Sequence, residues 1–434
     1  MNHDKIMLLA PEGPVNSVLS VPGSKSFTNR ALICAALADG ESVIEGASLS
    51  DDSCILVDAL RTLGIDIKID GDTFFVQGCK GSFEPFQGEI YLGAAGTAMR
   101  FMLSVAALVP DSDIILYGTE RMHERPIGPL VDALRSAGAD ISYQGKEGCP
   151  PVRVKSTGRL KAEQVCIDGS VSSQYLSSLL LISPYIKGRP QIRVRAELVS
   201  GSYVNMTLDC MQAFGITLNQ AASSCYSVSG NMYRSSTFLV EADASSASYL
   251  WGLAAIAGGR VAVRNISCNS LQGDAAFPYV LEKMGCSVSE EMEFNRPLVS
   301  VRAGRGLKAV SVDMCNMPDT AQTLAVVAAV AEGTTVIKGI GNLRYKETDR
   351  IAALVSELGK LGVEVQGGPD WLKVKGSNSL HPAVINTYED HRMAMAFAML
   401  AARLSGLEIK NPQVVTKSFP EFWDVIQESG IRLQ

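Results

Sequence analysis

Cations recur in this sequence at one kind of place, the start of a strongly apolar helical stretch. In Pro22-Gly23-Ser24-Lys25-Ser26-Phe27-Thr28-Asn29-Arg30, Lys25 and Arg30 bracket such a start. A helix start offers free backbone N–H groups and the positive end of the helix dipole, so it suits an anion. The segment lacks the G-x-x-x-x-G-K-[ST] spacing of nucleotide-binding P-loops, which argues against a nucleotide. Leu92-Gly93-Ala94-Ala95-Gly96-Thr97-Ala98-Met99-Arg100 opens a second stretch with small residues that let a ligand approach the backbone, although Gly–Ala turns precede many helices. Arg125 precedes a proline that predicts a helix over Ile127–Arg135, and its planar guanidinium suits a carboxylate or phosphate. Ser172-Ser173-Gln174, and Ser200 with Tyr203, place hydroxyls and an amide before two more helices, where capping is the competing role.

The second half repeats the theme. Pro318-Asp319-Thr320 puts a carboxylate at a helix start, where capping is again the alternative. Asn342-Leu343-Arg344-Tyr345-Lys346-Glu347-Thr348-Asp349-Arg350 is a dense charge cluster whose plain reading is a solvated face. Asp390-His391-Arg392 and Lys417-Ser418-Phe419-Pro420 add cations at related positions, and so many cations at element junctions are hard to read as surface decoration.

The elements that must position these residues form a repeat. A helix-like apolar stripe, a glycine and an alternating stretch recur six times, with the glycines at Gly64, Gly138, Gly215, Gly285, Gly362 and Gly430. Each glycine fits a helix C-cap because it tolerates positive φ. A second pattern starts with a polar cluster near Ser26, Thr97, Ser172, Ser245, Asp319 and His391, then runs into a helix apolar almost all round, which predicts burial. A chain of 434 residues exceeds one typical core. Six units therefore predict an α/β chain of two domains with three units each, residues 21–240, and residues 1–20 plus 241–434. The crossovers are expected at Pro22-Gly23 and around Glu241 to Asp243. Strand-like segments at Thr73 to Gln77 and Trp371 to Lys375 predict hairpins after the amphipathic helices and count against a simple alternating barrel.

Composition removes several classes. With 47% hydrophobic and 19% charged residues the chain is an ordinary globular one. A net charge of −6 counts against a nucleic-acid binder, while leaving room for a local cationic cluster. Ten cysteines without a C-x-x-C pair, and four histidines without ligand spacing, predict reduced thiols and no metal. The N-terminal stretch ends at Pro11 and does not read as a secretory leader. The longest apolar runs, such as Leu324 to Ala331, fall short of the ~20 residues that span a bilayer. The expected location is the cytoplasm.

The segments PGSKSFTNR, GTAMR, ERPI, SSQY, NLRYKETDR and DHRMAM stand together in one order, and on them the whole chain resembles the EPSP synthases, a family of enolpyruvyl transferases. The resemblance implies the two-domain enolpyruvyl transferase fold, each domain three βαβαββ units around buried helices, an inverse α/β barrel. It implies transfer of the carboxyvinyl group of phosphoenolpyruvate to the 5-hydroxyl of shikimate 3-phosphate through a tetrahedral intermediate, on the shikimate pathway to chorismate. The first domain would serve mainly shikimate 3-phosphate and the second mainly phosphoenolpyruvate. Small-molecule substrates would be the only partners, with no cofactor, metal, nucleic acid or membrane, and the chain would act as a monomer. By the same resemblance, shikimate 3-phosphate is bound by Lys25, Ser26, Arg30, Ser172, Ser173, Gln174, Ser200, Tyr203, Asp319, Asn342 and Lys346. Phosphoenolpyruvate is bound by Lys25, Gly96, Thr97, Arg125, Gln174, Arg350, Arg392 and Lys417. Asp319 and Glu347 are the acid/base pair, with Lys25 and His391 as further catalytic residues.

Two positions depart from the family pattern. Ala94 stands where Asn is usual, which removes one polar contact, and Phe101 stands where Pro is common, which would shift the helix bearing Thr97. Gly96 keeps the space tied to the inhibitor glyphosate. The related transferase acting on UDP-N-acetylglucosamine typically has a reactive cysteine on a loop, and Gly118 to Arg125 contains none. A non-catalytic repeat scaffold is the rival of another class, but it would not need cations at so many helix starts.

Overall fold

The computed structural model describes residues 4–434 apart from 197, 199, 223, 230 and 231. The chain divides into two compact units, Gly23–Glu241, and Met1–Pro22 with Ala242–Gln434. Among the described residues, each unit contains three four-stranded sheets.

Among the described residues, six helices are buried along nearly their whole length, as their continuous apolar character dictates. In the first unit these are Lys25–Leu37, Gly96–Ala106 and Ser173–Ile182, which pack on one another. In the second, Ala244–Ala257 packs on Ala321–Ala328 and on Met399–Ala402, the turn that continues His391–Ala398. Six further helices bury one stripe. In Arg350–Lys360 the stripe is Arg350, Ile351, Ala353, Leu354, Glu357 and Leu358, the spacing of one helix face.

All six repeat glycines have positive φ, from 84° at Gly215 to 109° at Gly285. At Gly64 the glycine N–H bonds Arg61 O and the next N–H, of Ile65, bonds Leu60 O. The same pair of bonds follows the helices before Gly138, Gly215, Gly285 and Gly362. These bonds satisfy carbonyls that the helix leaves open and turn the chain into the next strand. The hairpins lie where alternation placed them, with small shifts of boundary. Thr73–Cys79 pairs antiparallel with Asp66–Asp70, and Leu372–Lys375 with Glu364–Gly367. Leu372 and Val374 are buried while Lys373 and Lys375 face out.

The second and third sheets of the first unit are each built from one contiguous βαβαββ run, as in Gln87–Tyr91, Ser112–Tyr117, Asp140–Tyr143 and Val152–Ser156. Three other sheets borrow a strand from elsewhere in the chain. Thr237–Leu239 runs parallel to Val43–Glu45 in the first unit. In the second, Val15–Leu19 runs parallel to Gly259–Val263, and Lys5–Leu9 lies between Leu407–Lys410 and Arg432–Leu433.

Helix starts differ from expectation in detail. The helix expected over Ile127–Arg135 runs Gly128–Ser136, with Ile127 as its cap and Pro129 in its first turn, so Pro126 stands outside it. The side-chain caps are Ser24, Ser172, Asp243, Asp349 and Asp390 for five of the helices named here. Asp319 is not the cap residue of the helix that follows it. It lies in the short turn Pro318–Thr320, and the following helix has no side-chain cap.

Candidate active site

In the Gly23–Glu241 unit, polar residues gather at the starts of the three buried helices. Ser24 accepts from the Phe27 N–H and Lys25 is the first helical residue. The Lys25 ammonium meets Asp52, 3.0 Å away on the Asp51–Thr62 helix. The Gly96–Ala106 helix has Ala95 at its cap and so no side-chain acceptor for its first N–H groups. Two guanidiniums crowd this turn. Arg100 donates to Gly96 O at 2.9 Å and to Pro126 O at 2.8 Å, and Arg125 donates to Ala94 O at 3.3 Å. A Cβ on Gly96 would come 2.6 Å from Arg125 Nη2 and 2.9 Å from Arg100 Nη1, so the arrangement requires glycine. Ser172 caps the Ser173–Ile182 helix at the Gln174 N–H. The Gln174 side chain donates to Thr97 Oγ1 at 3.1 Å and ties the second and third helix starts together.

Arg30 is only 1% exposed. It donates to Thr207 Oγ1 and Ser26 O, both at 2.8 Å, and to Ser177 Oγ at 3.4 Å. Its guanidinium carbon lies 5.5 Å from the Phe101 ring centre and 5.8 Å from that of Tyr203, within cation–π range. Burial lowers its pKa to about 10, against the opposing pull of Cys210, Tyr203 and Cys34. Phe101 thus has a place in the middle of an unbroken helix, over Arg30, and Thr97 keeps its bond to Gln174. Ser200 adopts a left-handed backbone (φ 56°) just before the Ser202–Ala213 helix, and its carbonyl accepts from the Tyr203 N–H.

The second unit holds a compact charge cluster. Arg350 sits at its centre, bonded through Nε to Asp390 at 2.7 Å, through Nη2 to Glu347 at 2.8 Å and through Nη1 to Asp319 at 3.1 Å. Asp319 also meets Arg392 at 3.0 Å and Lys346 at 3.3 Å, and Glu347 meets Lys417 at 3.7 Å. Burial works against the Arg350 charge, but Asp390, Glu347 and Asp319 outweigh it and hold its pKa above the ordinary arginine value. Arg392 also donates to Tyr249 Oη at 3.2 Å and Ser245 Oγ at 3.4 Å. The buried His391 ring has Nδ1 3.8 Å from Asp390 Oδ1. Asn342 carries a buried carboxamide oxygen without a hydrogen-bond partner. The cluster has four cations, Lys346, Arg350, Arg392 and Lys417, around Asp319, Glu347 and Asp390. Two alternatives from the sequence are thereby corrected. Asp319 grips cations and is not the cap residue of the helix that follows it, and Arg350 is an interior residue, 1% exposed, so the Asn342–Arg350 segment is not a solvated face throughout. Among the described residues no group of three or more His, Cys, Asp or Glu is placed to hold a metal ion.

A sequence model of the family described as EPSP synthase (3-phosphoshikimate 1-carboxyvinyltransferase) matches residues 9–426. The chain belongs to the EPSP synthase family. Among its relatives is the 3-phosphoshikimate 1-carboxyvinyltransferase of Photobacterium profundum, 42% identical over 97% of this chain and 98% of that one. Another of the same name, from Sulfurovum sp. (strain NBC37-1), is 44% identical over 96% of both chains. The structure of EPSP synthase from Acinetobacter baumannii superposes with a TM-score of 0.80 at 25% identity, covering 99% of each chain. The fold is accordingly the two-domain enolpyruvyl transferase fold, with helices inside βαβαββ units.

Within this EPSP synthase family member, Gly96, Thr97, Arg125 and Gln174 come together, as do Arg30, Ser26 and Tyr203, and as do Asp319, Lys346, Glu347, Arg350, Arg392 and Lys417. Sequence reasoning missed Asp52, Arg100, Asp390, Ser245 and Tyr249. Arg100 and Asp390 stand inside the GTAMR and DHRMAM segments and were within reach. Asp52 looks like one of two acidic residues favouring a helix start, and Tyr249 is masked by a helix apolar all round.

Proposed function

We propose that this chain transfers the carboxyvinyl group of phosphoenolpyruvate to the 5-hydroxyl of shikimate 3-phosphate, releasing phosphate. Its relatives bear the name of that activity. The observation that carries the chemistry is that Asp319 and Glu347 are held by one guanidinium, at 3.1 and 2.8 Å. The reaction needs two proton carriers near each other, one to take the hydroxyl proton while oxygen attacks C2 and one to give a proton to the methylene C3. Asp319 takes the first role and Glu347 the second, with Lys25 and His391 as supporting groups. The resulting tetrahedral ketal then loses a methyl proton and phosphate. Cations around the departing phosphate steady its charge. Three cations compete for the Asp319 oxygens in the free protein, and anionic substrates offer them other partners, which releases that carboxylate to accept a proton.

In this reading phosphoenolpyruvate is bound by Lys25, Gly96, Thr97, Arg125, Gln174, Arg350, Arg392 and Lys417. Shikimate 3-phosphate is bound by Lys25, Ser26, Arg30, Ser172, Ser173, Gln174, Ser200, Tyr203, Asp319, Asn342 and Lys346. The orphan Asn342 oxygen suits a substrate hydroxyl, which would donate to it. The chain works as a cytoplasmic monomer without cofactor, and ten cysteines that form no disulfide among the described residues fit a reducing compartment. The test is phosphate release on mixing the protein with both substrates. Asp319→Asn, which keeps the shape but not the base, lowers turnover by about a hundredfold or more, while calorimetry still detects substrate binding. Near-normal turnover of that variant would overturn the role given to Asp319.

A further inference from the structure

Asp274 lies in the turn Gly273–Ala276, which packs against the Ala244–Ala257 helix and the Pro318–Thr320 turn. Gln272 pins this turn in place. Its Oε1 accepts from the Ala244 N–H at 3.0 Å and its Nε2 donates to Ala242 O at 2.8 Å. The Asp274 carboxyl is 3% exposed. Its Oδ2 accepts from the Ser245 hydroxyl, and its Oδ1 has no hydrogen-bond partner. Burying a carboxyl with an oxygen left bare is costly, and a role is the usual reason for keeping one. The Ser245 oxygen that donates its proton to Asp274 also accepts from Arg392 Nη2 at 3.4 Å, and the same Nη2 donates to Asp319 at 3.0 Å. A continuous line therefore runs Asp274–Ser245–Arg392–Asp319.

We propose that Asp274 is a positioning residue for the transfer reaction, fixing through the Ser245 hydroxyl the direction in which Arg392 meets Asp319 and an incoming anion. The proposal rests on Arg392 being a ligand of phosphoenolpyruvate. Tyr249, on the other side, fixes Nη1 of the same guanidinium at 3.2 Å, so with Ser245 and Asp319 in place its plane has little freedom. The charged groups facing Asp274 are Asp319 from the Pro318–Thr320 turn, Asp243 from the cap of Ala244–Ala257, and Arg392 from His391–Ala398. Burial, then Asp319, push the Asp274 pKa up to about 7, while Arg392 and Ser245 pull it down and Asp243 raises it. Below that pH the line carries a neutral acid, and Arg392 shares its charge only with Asp319 within it. Above it, a second carboxylate draws on Arg392 and weakens its hold on a new anion.

The experiment measures kcat and the KM for phosphoenolpyruvate from about pH 6 to about pH 8. Asp274→Asn keeps an oxygen that accepts from Ser245 but never ionises. Its KM stays near the low-pH value of the parent at all pH, so the ratio of parent to variant KM rises with a midpoint near 7. At about pH 6, where Asp274 is neutral, Asp274→Ala and Ser245→Ala each cut the line and raise KM about tenfold, with kcat within about threefold. The double variant is no worse than either alone, because both act through one contact. A KM of Asp274→Asn that parallels the parent at every pH, single variants with unchanged KM, or effects that multiply in the double variant would overturn the proposal. If Asp274→Ala does not fold, Asp274→Asn and Ser245→Ala decide it. Arg392→Ala is the separate control. If it leaves the phosphoenolpyruvate KM unchanged, the assignment of Arg392 fails, whereas a raised KM there with inert Asp274 variants sinks only the positioning role.

Discussion

At Gly96 the absence of a side chain carries the argument. A methyl there would reach 2.6 Å from Arg125 Nη2 and 2.9 Å from Arg100 Nη1, both far ends of flexible side chains, so the fold can yield while the guanidiniums move. Alanine is also the better helix former, which offsets part of any strain. Gly96→Ala should therefore raise the KM for phosphoenolpyruvate about tenfold, the size of a lost charge-assisted bond, and leave the unfolding midpoint nearly unchanged. A large loss of stability at unchanged KM would mean that Arg125 cannot yield and does not serve the anion. Residues of this kind were legible from sequence because they cluster in short segments rich in charge and small residues. Asp274 was not. It sits in a turn of glycine and alanines, and its meaning comes from Ser245 and Arg392, distant in sequence. The depth of Arg30 was also hidden, since burial of a cation depends on Thr207, Ser177, Phe101 and Tyr203 closing around it.

Elements were legible where one local requirement repeats. A helix that must turn at once into a strand needs a residue at positive φ, and six glycines mark those turns. Starts were read less well, because a polar cluster does not reveal which member lies outside the helix as its cap, and Pro126 looked like an opening residue when Pro129 fills the first turn. The need for positive φ at these turns can be tested without touching any packing. Gly64 has φ 89° and no atom within 4 Å of where a Cβ would stand, whereas Gly359 has equally open space inside the Arg350–Lys360 helix and no such φ. Gly64→Ala should lower stability by about 1 kcal/mol, and Gly359→Ala should raise it by about 0.5–1 kcal/mol, both read from denaturant midpoints. Equal effects at the two sites would show that backbone handedness is not what the repeat glycines supply.

For the whole molecule, the telling feature is that the repeat count closes only when the chain's beginning is added to its second half. Counting six similar runs in the sequence points to this, but which strand completes which sheet depends on pairing across more than 200 residues, as in Val18 beside Ala262, and no local pattern specifies that partner. The physical consequence is that Ala242–Gln434 alone lacks two strands. Without Val15–Leu19 the Gly259–Arg264 strand becomes an open edge, and without Lys5–Leu9 the Leu407–Lys410 and Arg432–Leu433 strands lose the one between them. Leu8, Val15 and Leu19 would also leave the core of that unit, in which they are almost fully buried. Ala242–Gln434 expressed by itself should therefore aggregate or unfold without a cooperative transition. Joining residues 4–22 to its front by a short Gly–Ser linker should restore a single cooperative transition by circular dichroism, because Pro22 O already accepts from the Asp243 N–H at 2.9 Å and the ends to be joined are adjacent. A stable, cooperative Ala242–Gln434 fragment would show that the borrowed strands are dispensable to the unit they complete.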